Sequence, residues 1–158
     1  MITLADALQS AFPDAEVTLP ADGISTVRVS LEHLPRAVEQ VRGTLGHQRF
    51  VDLTAVDRLT PEDRFELVYL FYSIDQRSHL RLKTRTDGAA PSLTPLIPGA
   101  NWYEREVFDL FGIQFEGHPD LTRIMLPDQW VGHPLRRTEP LGSEPVDFTV
   151  TREVYGSA

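Results

Sequence analysis

"FVDLTAVDRLTPEDRFELVYLFYSIDQRSHLRLKTRT", residues 50–86, is the stretch whose reading decides the fold. Three runs rich in apolar and β-branched side chains, 50–59, 65–74 and 79–86, are separated by "TPEDR" and "DQRS", short polar connections of the kind that close hairpins. The middle run is apolar on both faces, as a central strand with helices or a partner on each side would be. The last alternates Leu80 and Leu82 with Arg81, Lys83 and Arg85, which predicts a strand with one basic, wet face. Together they predict an antiparallel meander.

Toward the N-terminus, "STVRVSLE" alternates Val27, Val29 and Leu31 with Arg28, Ser30 and Glu32 and predicts a half-buried strand. "LPRAVEQVRGTLG" follows, with Pro35 in the first turn, Leu34, Val38, Val41 and Leu45 at helical spacing, and Gly46 as a stop. Ile2 to Phe12 place Leu4, Ala7, Leu8 and Ala11 on one helical face that ends at Pro13. Helix, strand, helix and meander predict an α+β fold, with helices packed on one face of a mainly antiparallel sheet. On this reading residues 1–88 form the α+β domain.

Beyond it, "GAAPSLTPLIPGAN" is turn-rich, and "NWYEREVFDLFG", residues 101–112, predicts a helix. Asn101 is placed to cap it, Glu104 stands in a capping-box position, and Gly112 can end it. Tyr103, Val107, Leu110 and Phe111 share one apolar stripe, with Trp102, Arg105, Glu106 and Asp109 across from it. Residues 89–112 are thus a connecting loop and helix, and 113–158 a long irregular C-terminal arm with five Pro and four Gly. Phe115, Leu121, Ile124, Met125, Leu126, Trp130 and Leu135 give the arm anchoring side chains, so an extended arm that binds a partner is expected rather than a disordered tail.

Composition narrows the chemistry. A chain of 158 residues, 41% hydrophobic and 24% charged, is expected to fold as one globular unit. A formal charge of −8 argues against binding nucleic acid or anionic lipid directly. No apolar run approaches the roughly 18 residues of a membrane span, and the opening "MITLADALQSAFPDAE" lacks a basic flank and cleavage pattern, so a cytoplasmic chain attached to membranes only through a partner is expected. The sequence has no cysteine, which removes disulfides, Cys-bound zinc and thiolate-held iron–sulfur clusters.

Three readings of the charged helix remain open: Glu106 and Asp109 as an acid/base pair, Arg105 with Asp109 as an exposed i,i+4 ion pair, or a polar contact surface. Side by side on one helix, the two carboxylates have no opposing wall between which to hold a substrate. His118 and His133, with Asp120 and Asp128, invite a metal reading, but each histidine stands in Gly-His-Pro, which predicts a rigid turn first.

The run "YEREVFDLFGIQFEGHPDLTRIMLPDQWVGHPLR", residues 103–136, resembles the signature region of the thirty-kilodalton subunit family of the bacterial proton-pumping NADH:quinone oxidoreductase, respiratory complex I. Thr122 departs from it, the family usually having a basic residue there. The resemblance implies a cofactor-free, non-catalytic subunit of the hydrophilic arm, peripheral on the cytoplasmic side of a bacterial membrane. It would lie beside the quinone-site subunit and the terminal-cluster subunit, with FMN and the iron–sulfur clusters held by partners and no metal in this chain. Trp102, Glu104, Arg105, Glu106, Asp109, His118, Asp120, Arg123, Trp130, His133 and Arg136 are the residues it implies at partner contacts. The homologous subunit of a related membrane-bound hydrogenase or other quinone-reducing complex is the alternative.

Overall fold

The computed structural model describes residues 8, 10–13, 15–60 and 62–139. Strand β1 spans Glu16–Thr18, β2 Ser25–Arg28, β3 Arg49–Asp57, β4 Phe65–Ser73, β5 Ser78–Thr86, β6 Ala89–Pro91 and β7 Gln114–Glu116; helix α1 spans Leu34–Arg42 and α2 Ala100–Phe111. The three expected meander strands form with both hairpins in place, β4 antiparallel to β3 and to β5. β2 pairs parallel to β5 and antiparallel to β1, giving a five-stranded sheet of order β1-β2-β5-β4-β3. The fold is α+β on a mainly antiparallel sheet, as the sequence predicts.

Alternation sorts the sheet into two faces. Phe65, Leu67, Tyr69 and Phe71 of β4, with Leu80 and Leu82 of β5 and Val27 of β2, join Leu34, Ala37, Val38 and Val41 of α1 and Val107 and Phe111 of α2 in one core. Phe50 meets Phe71 and Tyr103 edge-on, Phe65 meets Phe111, and the Tyr103 hydroxyl donates to the Val51 carbonyl at 3.0 Å, so α2 is pinned to β3 and β4.

Several expectations are corrected. Among the described residues no second layer of this chain packs on the other face of β4: Val68, Leu70 and Tyr72 are half-buried there beside Arg81 and Lys83. What takes the place of packing is charge, with buried Glu66 accepting Arg28 at 3.2 Å, Arg58 at 2.5 Å and Lys83 at 3.2 Å. α1 ends at Arg42 rather than at 46, where Gly43 and Thr44 are poor helix formers, although Gly46 does turn the chain at φ +70°. The strand from Ser25 ends at Arg28, before a 3-10 turn at Leu31–His33. The turn-rich segment contains a short strand, since β6 pairs parallel to β7 and brackets α2. The expected first helix, residues 2–12, falls mostly outside the described residues, of which Leu8, Ser10 and Ala11 are helical. The arm's residues 140–158 also lie outside them.

Candidate functional site

α2 begins after Gly99, so Asn101 lies inside the helix and Glu104 does not serve a capping box. Glu104 reaches backward instead. Its carboxylate accepts Ser92 Oγ at 2.6 Å, Leu93 N at 2.6 Å and Thr94 Oγ1 at 3.1 Å, which ties the turn after β6 to the helix. The group is wholly buried, and burial raises its pKa despite those three bonds. Tyr69, also fully buried, sits in the field of this carboxylate, its hydroxyl unpartnered among the described residues.

The opposite side of α2 is organised by Asp109. Its Oδ2 accepts the amides of Ile124, Met125 and Leu126 at 3.1, 2.8 and 2.9 Å, while Oδ1 accepts Arg123 Nη1 at 3.0 Å. Burial pushes the carboxyl up, but three amides and the guanidinium outweigh it and hold its pKa below the usual value. The arm therefore folds back over the helix face that periodicity leaves polar. Arg105 does not pair with Asp109. It donates to the Thr122 carbonyl at 3.0 Å, to Thr122 Oγ1 at 2.8 Å and to the Arg123 carbonyl at 3.2 Å, with its guanidinium 5.1 Å from the Trp102 ring centre. The one departure from the signature, Thr122, is thus a direct partner of Arg105.

Both Gly-His-Pro triplets are turns, with Gly117 and Gly132 at φ +82° and +92°. His118 Nδ1 accepts the Asp120 amide at 3.0 Å, so the ring proton sits on Nε2, which donates to the Asn101 carbonyl at 3.3 Å and lies 3.9 Å from Glu104. His133 Nδ1 donates to the Asp109 carbonyl at 2.9 Å. Arg136 donates to the carbonyls of Phe111 and Gly112, filling the end of α2, and stands 5.6 Å from the Phe65 ring centre. A Cβ on Gly112, at φ +74°, would lie 2.3 Å from Arg136 and 2.5 Å from His133.

The structure thus brings together Glu104 with His118, Trp102 with Arg105, and Asp109 with Arg123 and His133. Glu104, Asp109 and the His118 side chain have no exposed surface and bind groups of their own chain. They are not surfaces for a partner in this conformation. Trp102 and Asp120 are exposed, Glu106 and Trp130 half-buried, and apart from the Trp102 ring against Arg105 none of these four side chains meets another member of the set among the described residues. The acid/base reading of Glu106 with Asp109 fails on geometry, because Asp109 is enclosed and its lone pairs are taken. Among the described residues no three His, Asp or Glu side chains converge as metal ligands.

One carboxylate escapes the sequence reading. Asp57, at the end of β3, accepts Arg64 through both oxygens at 3.0 and 2.6 Å, the Leu59 amide at 3.0 Å and the Arg137 amide at 3.0 Å. Arg64 holds its pKa well below the carboxylate range. The signal was available: Leu53, Ala55 and Asp57 alternate onto the inner face, where an acid requires donors.

A family model described as the respiratory-chain NADH dehydrogenase 30 kDa subunit matches residues 27–145. The chain is 42% identical over 157 residues to a subunit of the NADH-quinone oxidoreductase of Roseiflexus sp. strain RS-1, an alignment covering 96% of this chain and 90% of that one. A solved trypsin-resistant fragment of Nqo5 superposes with a TM-score of 0.64 at 31% identity, over 73% of this chain and 96% of the fragment. A chain of the membrane-bound sulfane sulfur reductase, an archaeal respiratory membrane complex, shares the fold at TM-score 0.62 and 24% identity, over 79% of this chain and 72% of that one.

Proposed function

Because the chain belongs to the family of the respiratory-chain NADH dehydrogenase 30 kDa subunit, and is a subunit of an NADH:quinone oxidoreductase, we propose that it serves there as a cofactor-free brace. On this reading it takes no electrons. It holds neighbouring subunits in register, chiefly those of the quinone site and the terminal cluster, while NADH reduces FMN, a cluster chain reduces quinone, and protons are moved. Its place is the hydrophilic arm on the cytoplasmic side, peripheral to the membrane.

The observation that carries the proposal is where the signature's charges go. Glu104, Arg105, Asp109, Arg123, His133 and Arg136 are bonded to α2, its preceding turn and the arm, so this chemistry fastens a shape rather than presenting reactive groups. The lack of cysteine supports it, since no thiolate can hold a cluster. Among the described residues no helix is long and apolar enough to cross a membrane, which supports attachment through partners.

The test is purification of the tagged full chain from its native membrane. Co-elution with flavin and iron–sulfur subunits, with NADH-driven quinone reduction, is expected; hydrogenase subunits in their place would move the chain to a related complex. The separately produced full chain is expected to carry no flavin and no stoichiometric iron. Either one, bound at one per chain, would overturn the cofactor-free assignment.

A further inference from the structure

A cleft of about 290 Å³ opens where the end of β3, the end of α2 and the arm meet, lined by Ala55, Val56, Arg58, Phe111, Leu135 and Arg137. Asp57 builds it. By accepting Arg64, the Leu59 amide and the Arg137 amide, this one carboxylate joins the β3–β4 connection to the arm. Ala55 and Phe111 are buried and form an apolar floor, while Leu135 on its rim stays 51% exposed and Leu59, whose amide Asp57 holds beside the cleft, is likewise 51% exposed. Leu59 is held at φ +56°, a conformation a leucine seldom adopts, and follows directly on Arg58. The structure therefore accepts local strain in a turn that leaves a large apolar side chain in water. Arg137 adds positive charge in a chain of formal charge −8, and its guanidinium has no carboxylate partner among the described residues, whereas Arg58 is already paired with Glu66.

We propose that this cleft is a docking site for a neighbouring protein subunit, which inserts an apolar side chain next to a carboxylate. The apolar side chain covers the Phe111–Ala55 floor beside Leu135, and the carboxylate meets Arg137. Apolar anchors flanked by arginine are the composition of interface hot spots, and the cleft has room for one or two side chains rather than a nucleotide. The proposal rests on the chain being a subunit of a larger complex and names which of its surfaces is covered there.

The experiment places a photo-crosslinking amino acid at Leu59 or at Leu135 of the tagged full chain in cells, with Leu19, 67% exposed just after β1 at the far edge of the sheet, as the control. In parallel, Arg137→Glu and Arg137→Lys are compared for recovery of the complex, with thermal melts of the separately produced chain checking that each folds. Cross-links from 59 and 135, and none from 19, to a partner peptide carrying Asp or Glu beside an apolar residue are expected. Recovery should fall about tenfold for Arg137→Glu and be restored by Arg137→Lys. Cross-links to residues 140–158 of the same chain would overturn the proposal in favour of self-occupancy. Full recovery with Arg137→Glu and no cross-links would overturn it while leaving the bracing role intact. A wild-type chain that recovers no oxidoreductase subunit would remove both.

Discussion

Asp109 Oδ2 takes three consecutive amides, and without it all three lose their acceptor inside the protein while Arg123 keeps only the Gly132 carbonyl. Asp109→Ala is expected to destabilise the chain by about 3 kcal/mol, read in denaturant unfolding, with faster hydrogen exchange at Ile124, Met125 and Leu126. Exchange at those amides as slow as in the wild type would contradict the role given to this carboxylate. Glu104 behaves oppositely with pH. Burial raises its pKa from 4.5, so the folded chain binds that proton more tightly than the unfolded chain, and its contribution to stability declines as pH rises through the raised value. Glu104→Gln has no such titration. The stability of the variant relative to wild type should therefore increase with pH across that window and then level off, and a difference independent of pH would refute the assignment. Both residues were legible as important from their spacing. Their partners were not, because the arm's irregular path past α2 has no periodicity to read.

At the scale of the element, α2 is defined by how it ends. Gly112 combines a left-handed backbone with His133 and Arg136 pressed where a Cβ would stand, whereas Gly23, at φ +75°, has open space. Gly23→Ala should cost about 1 kcal/mol and Gly112→Ala about 3 kcal/mol, compared by thermal melts; equal losses would mean that the arm does not press on the helix end. Arg105→Ala removes the bonds to Thr122 and Arg123. It is expected to lower the amount of assembled complex while leaving turnover per complex unchanged, as measured by NADH oxidation against flavin content. The strands of the meander and the Gly112 stop were legible because alternation and glycine chemistry are local signals. The three-residue strands β1, β6 and β7 were not, since so short a run has no period and forms only because a neighbour pairs with it. Asn101 misled for a related reason: a capping side chain is a local preference, and the turn Leu93–Ile97 had already started the helix one residue earlier.

At the scale of the whole molecule, three buried carboxylates among the described residues are held ionised. Burial pushes Glu66 and Asp109 up and their donors pull them below the usual value, and Arg64 lowers Asp57. Each stabilises the fold above its unfolded value and loses that contribution as pH falls through the folded one. The melting temperature should thus fall steeply below about pH 4, the steepness reduced in Asp57→Asn. A melting temperature that rises on acidification below pH 4 would show that Glu104 outweighs the other three. The charge on the sheet's other face was not legible in the sequence, because Val68 and Leu70 look like core residues until Glu66 and its cations are seen beside them. The parallel pairing of β2 with β5 reaches further still. A ribosome releases β2 well before its neighbour has been made, so Val27 and the apolar side of α1 emerge with nothing to cover. The sheet can close only at the seam between these two strands, after the local hairpins on either side of it have formed, and until then Val27 and the inner face of α1 stay in water.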